Sequence, residues 1–167
     1  TGPYQFRLSD LAMATPLIPG TPVTTTLAPA HETDIYRFSA AAGDRFYFDL
    51  ISRTFPGDVI WRLVDPFGNL LFTREFNDIS FADVETLTLA QPGAYTLFVE
   101  GGLTDTTAVT YAINVQPAPL STTALVLGNV TSGAIAGAGE QDRYTFTLAS
   151  DTLLDFDALT NNGAIAW

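Results

Sequence analysis

The chain has 167 residues, 47% of them hydrophobic, with 18 Asp+Glu against 7 Lys+Arg and a formal net charge of −11. Such a length can bury a real core, while a field of that sign repels phosphate backbones and anionic lipid, so neither nucleic acid nor a charged membrane surface is an expected partner. Cysteine is absent and His31 is the single histidine, which removes disulfides, thiol catalysis and multi-histidine metal centres within one chain.

Taken in chain order, the pattern is that of strands. Tyr4-Gln5-Phe6-Arg7-Leu8 alternates apolar and polar, and residues 9–16 follow as a linker. Val23 to Leu27, Asp34 to Phe38 and Arg45 to Leu50 are rich in β-branched and aromatic residues. Val59 to Val64 and Leu70 to Thr73 flank Asp65-Pro66-Phe67-Gly68-Asn69, a reversal with Pro to preset φ and Gly to permit the turn. Val84 to Leu89 alternates, Gln91-Pro92-Gly93 turns the chain into Tyr95 to Glu100, and Val109 to Val115 closes the unit. About eight short strands and no helix in some 100 residues predict an all-β, antiparallel, jelly-roll-like β-sandwich. The complete unit is expected over 17–116, with Phe38, Phe48, Trp61, Leu63, Leu87, Leu97 and Val99 inside. Residues 117–124 are Pro/Thr-rich and read as a linker, because proline lacks the ladder donor. No run approaches the ~20 apolar residues of a helical membrane span, so membrane insertion is not expected.

The chain also repeats itself. A shift of 108 positions lays Gly20 on Gly128, Ala28 on Ala136, Glu32 on Glu140, Asp34 on Asp142, Tyr36 on Tyr144, Phe38 on Phe146, Phe48 on Phe156 and Asp49 on Asp157. After a two-residue deletion Gly57 meets Gly163 and Trp61 meets Trp167, and upstream Tyr4 to Leu8 echoes Tyr111 to Val115. Residues 1–8 therefore read as the last strand of a preceding repeat, and 125–167 as the first half of the next. The expectation is a segment of a longer array of repeats of about 108 residues, or a unit completed by a neighbouring chain.

Glu32-Thr33-Asp34-Ile35-Tyr36-Arg37-Phe38 is similar to the D-x-D-x-Y-x-F pattern that opens a strand in the bacterial pre-peptidase C-terminal domain. Ala42-Gly43-Asp44, Asp65-Pro66-Phe67-Gly68-Asn69 and Pro92-Gly93-Ala94-Tyr95-Thr96-Leu97 extend the resemblance across the unit, and Glu140 to Phe146 repeats its first motif. The resemblance implies a jelly-roll-like sandwich that is extracellular and non-catalytic. It implies no ligand.

Glu32 and Asp34, with Asp58 beside them, are the candidate metal site, for Ca²⁺, which takes several carboxylate and carbonyl oxygens. The competing reading is a turn in which Asp34 bonds nearby backbone N–H groups. No cofactor is required on either reading. The pair Asp49/Asp157 reads as strand-exit residues, and Trp61 as core rather than a sugar-stacking platform. His31 lies in a loop, and its repeat neighbour Ala138 leaves no polar partner pattern, so no catalytic residue is assigned and the protein is not expected to be an enzyme. Asn129-Val130-Thr131 is a glycosylation-type triplet.

The expected function is structural: a building block of a secreted bacterial fibre or surface stalk, extracellular or on the cell surface. Its partners would be copies of itself joined head to tail, assembled by strand complementation, with surface glycans as a further partner. The alternative is a calcium- or carbohydrate-binding accessory module of a secreted hydrolase.

Overall fold

A computed structural model of the chain describes residues 2–54, 58–76, 82–160 and 163. Two sheets face each other. One has five strands in the order β1 (Thr15–Pro16), β3 (Thr33–Ala40), β8 (Gly93–Glu100), β5 (Ile60–Val64) and β6 (Leu70–Glu75). The other has four, in the order β2 (Val23–Leu27), β9 (Val109–Pro117), β4 (Arg45–Arg53) and β7 (Val84–Thr88). All pairings within them are antiparallel except the short parallel contact of β1 with β3. This is the β-sandwich the strand pattern predicts.

Alternation explains which side chains meet. Along β3, Tyr36 and Phe38 are buried while Arg37 between them is exposed, the two-residue period of a strand. Register then aligns Tyr36 with Leu97 and Leu97 with Leu63, so three strands present one apolar face. The facing sheet supplies Phe46 and Phe48, and the rings meet edge-on: Phe38 to Phe46 at 5.4 Å and Phe48 to Phe72 at 5.0 Å between centroids. Trp61 is 0% exposed, packs edge-on against Phe72 and Phe76, and donates its indole N–H to Ala82 O at 3.1 Å. Burial of each such side chain stabilises the fold by about 1.5–3 kcal/mol. Of the expected core, Leu87 alone is only half-buried. It sits on β7, an edge strand that pairs with β4 alone and does so with a register shift.

The β5–β6 hairpin follows from its turn. Asp65 accepts the Phe67 and Asn69 amides on Oδ1, each at 2.8 Å, and the Asn69 side chain on Oδ2 at 2.9 Å. Gly68 takes φ +85, a left-handed conformation that glycine alone adopts without strain.

Two expectations about the linkers change. Pro117 is the last residue of β9, opposite Phe46, rather than the start of a linker. Its missing N–H costs nothing there, because the ladder's next donor is Ala118 N, which bonds Arg45 O at 2.9 Å. Leu120–Ala124 is itself strand β10, paired in parallel with β11 (Gln141–Thr145). Within 9–16, Asp10 caps a 3₁₀ turn, Leu11–Met13, and Thr15–Pro16 joins the five-stranded sheet. Residues 2–8 form no strand in this single chain, and Tyr4, Phe6 and Leu8 are 85%, 85% and 94% exposed.

The second region reproduces the local geometry of the first. Thr15 and Pro16 face Tyr36 and Arg37, and 108 residues on Thr123 and Ala124 face Tyr144 and Thr145. Leu17 N bonds Arg37 O at 2.8 Å, and Leu125 N bonds Thr145 O at 2.8 Å. Gly20 and Gly128 have φ +83 and +81. Glu32 Oε1 accepts Ala28 N at 2.6 Å, and Glu140 Oε2 accepts Ala136 N at 2.7 Å. The proposed matches of Gly57 with Gly163 and Trp61 with Trp167 involve Gly57 and Trp167, which lie outside the described residues.

Candidate functional site

Polar side chains gather at the acidic corner named from sequence and at the junction of the two regions. At the corner, Glu32 precedes β3 and closes the turn at 28–32 through its bond to Ala28 N, while Glu32 N bonds Pro29 O at 3.0 Å. Asp34 lies two residues on, so it shares a face with Tyr36 and points into the end of the sandwich. There Asp34 Oδ2 accepts the Tyr111 hydroxyl at 2.6 Å, and the Tyr111 and Tyr36 hydroxyls are 2.7 Å apart. Burial raises the Asp34 carboxyl above its ordinary value of 3.8, partly offset by the Tyr111 hydrogen bond. Burial likewise pushes the Tyr36 hydroxyl up to about 12. Tyr111 is raised further still, by burial and then by the carboxylate it donates to.

Asp58 is not part of this group of bonds. Its backbone N–H, with that of Gly102, is held by Asp105 Oδ2 at 2.9 and 3.1 Å. Among the described residues, no three His, Cys, Asp or Glu side chains gather to hold a metal ion. Glu32 and Asp34 thus act as a turn clip and as the acceptor of a phenol chain. The tyrosine chain escaped the sequence reading, although the repeated Asp34/Asp142 and Tyr36/Tyr144 identities at two-residue spacing carried its signal.

His31 is exposed in the turn at 28–32. Asp49 is a correction: it lies within β4, opposite Asn114, rather than at a strand exit. Burial and the neighbouring Asp83 raise its carboxyl pKa. Asn129 is exposed in a turn.

The junction was not visible in the sequence. The turn ending at Glu140 rests on the outer face of β4 and β7. Thr86 Oγ1 donates to Gly139 O at 2.8 Å, and Arg45 Nη2 donates to Gln141 Oε1 at 2.6 Å. Gly139 has φ +73, and a Cβ there would lie 2.4 Å from Tyr47 Cβ and 2.6 Å from Thr86 Oγ1. Only glycine fits, for backbone and for space. Tyr47 is fixed in turn by donating to Asp83 Oδ2 at 2.7 Å, while Asp83 Oδ1 accepts Leu50 N at 2.8 Å.

No family model and no curated protein matches this chain. Among solved structures, the pre-peptidase C-terminal domain of collagenase from Bacillus anthracis is similar at TM-score 0.52 and 22% identity, covering 67% of this chain and 100% of that domain. That likeness shows the fold: a β-sandwich of the pre-peptidase C-terminal kind. The periplasmic g-type lysozyme inhibitors PliG of Aeromonas hydrophila and Salmonella Typhimurium also align, each at 13% identity over 62% of this chain. They cover 96% and 98% of their own lengths, at TM-scores of 0.45 and 0.42. Among the described residues no helix is long and apolar enough to cross a membrane.

Proposed function

We propose that this chain is a non-catalytic structural module, a piece of an extracellular fibre or surface stalk built from β-sandwich repeats of about 108 residues. The observation that carries this reading is the recurrence, at one fixed offset, of a strand register, a glycine turn and a glutamate clip. Shared composition alone does not reproduce hydrogen bonds pairwise; a duplicated unit does. The short connection supports stiffness, since only Ala118 and Pro119 separate β9 from β10, and Ala118 is buried against the first sandwich. A location outside the cytoplasm is part of the proposal, in keeping with a secreted collagenase-type module. Copies of the chain are the proposed partners, with the exposed, alternating Tyr4 to Leu8 segment available for strand addition. The likeness to a collagenase domain favours one second reading, an accessory module of a secreted hydrolase.

Electron microscopy and light scattering of the chain at increasing concentration test the assignment. Filaments or concentration-dependent oligomers with a regular axial spacing are expected. A compact monomer at all concentrations would remove the fibre and leave the accessory reading.

A further inference from the structure

The contact between the two regions has two unlike sides. On the sheet side, Arg45 of β4 and Thr86 of β7 each donate one side-chain hydrogen bond, to Gln141 Oε1 at 2.6 Å and to Gly139 O at 2.8 Å. On the turn side, the bare backbone of Gly139 lies against the stem of Tyr47, where an added Cβ would stand 2.4 Å from Tyr47 Cβ. Tyr47 cannot swing aside without losing its own bond to Asp83 Oδ2 at 2.7 Å. Hydrogen bonds of these lengths hold only within a narrow range of geometry, so the two regions meet at one orientation.

The first region carries the same turn with different contents. Glu32 clips it through Ala28 N as Glu140 clips the second through Ala136 N. At the place of Gly139, 108 positions earlier, stands His31, and at the place of Gln141 stands Thr33. His31 fails the contact twice. Its side chain has no room against the Tyr47 stem, and its backbone does not take the φ of +73 that Gly139 adopts, since among the described residues only glycines have positive φ. Thr33 is too short to reach Arg45 as the Gln141 amide does. We infer that the outer face of β4 and β7 is a selective docking surface for the unit that follows it in the chain: it accepts a turn with glycine at the 139 position and rejects the 28–32 turn of its own unit. This rests on the reading of the two regions as successive repeats. Gly139 is the residue that decides specificity, because the rejected turn is excluded by a clash rather than by a missing attraction. The order of the two units is thus written into their junction, and the junction is held at one angle.

The absence of cysteine makes the test clean. Spin labels at Thr73→Cys on β6 and Thr145→Cys on β11, both exposed, report the separation of the two regions. The doubly labelled chain should give one narrow distance distribution. Adding Gly139→His/Gln141→Thr, which writes the first turn's residues into the second, should abolish the narrow peak. Gly128→His places the same side chain on another left-handed glycine of that region, φ +81, with nothing within 4 Å of its Cβ, and should leave the peak in place. Arg45→Ala/Thr86→Val removes both donors without touching the turn and should broaden the distribution as well, while circular dichroism reports that the sandwich stays folded. A broad distribution in the labelled parent would overturn the inference, as would a narrow one that survives both double variants. Equal loss of the peak in Gly128→His would overturn the role given to Gly139. A monomer at all concentrations would defeat the array reading, whereas the narrow peak and its loss judge the junction by itself.

Discussion

Phe38 and Phe146 occupy equivalent places in the two regions, yet the first is 3% exposed and the second 50%. Their surroundings up to that point are alike: the same parallel strand pair, the same left-handed glycine, the same glutamate clip. The difference lies in what comes from far along the chain. β3 is covered by β8 and by the facing sheet, whereas β11 has only β10 beside it among the described residues. Local hydrogen bonds therefore form from local sequence, and burial follows only when distant strands arrive. The two are separable in one molecule.

The largest test of that separation is the matched pair itself. Phe38→Ala should lower the unfolding free energy of the sandwich by about 3–5 kcal/mol, while Phe146→Ala should stay within about 0.5 kcal/mol. Urea denaturation followed by near-UV circular dichroism measures both, and equal losses would break the comparison. A smaller contrast sits in the glycines. At Gly101 a Cβ would meet Ala30 O at 1.7 Å, but at Gly137 it would meet nothing within 4 Å. Gly101→Ala should cost about 1–3 kcal/mol or more through backbone displacement, against a negligible change for Gly137→Ala; the melting temperatures decide.

The buried acid gives a signed pH effect. Because burial raises Asp34, the folded chain holds that proton above 3.8 while the unfolded chain has released it. Its contribution is therefore fully present below the unfolded value and is lost as pH rises through the folded one. Asp34→Asn keeps an acceptor for Tyr111 but cannot ionise, so it should gain on the wild type as pH rises from acid toward neutrality. Melting curves that stay parallel across that range would refute the assignment. The smallest effect concerns calcium at Glu32 and Asp34. Both carboxylates already have partners in Ala28 N and the Tyr111 hydroxyl, so melting should be the same in calcium and in chelator. A rise in calcium that Glu32→Ala abolishes would establish the cation site.

Strand positions were legible because alternation and turn chemistry are written locally. Asp65-Pro66-Phe67-Gly68-Asn69 makes its hairpin by side chains reaching no further than four residues. The same is true of the clip made by Glu32. The self-similarity between the two regions, too, was open to inspection, since an offset needs no coordinates to be seen. What sequence concealed depends on pairs distant in the chain. Tyr111 reaches Asp34 across 77 positions, and Thr86 reaches Gly139 across 53. Nothing in either neighbourhood announces the other.

Composition, period and turn residues by themselves determined an all-β sandwich and most strands of its two sheets, because each rests on steric rules acting over a few residues. Only the tertiary structure decided that Pro117 closes a strand, that Asp34 ends a chain of phenols, and that Gly139 must lack a side chain. Each of those depends on atoms brought together by packing, and packing is a property of the whole sandwich rather than of any segment in it.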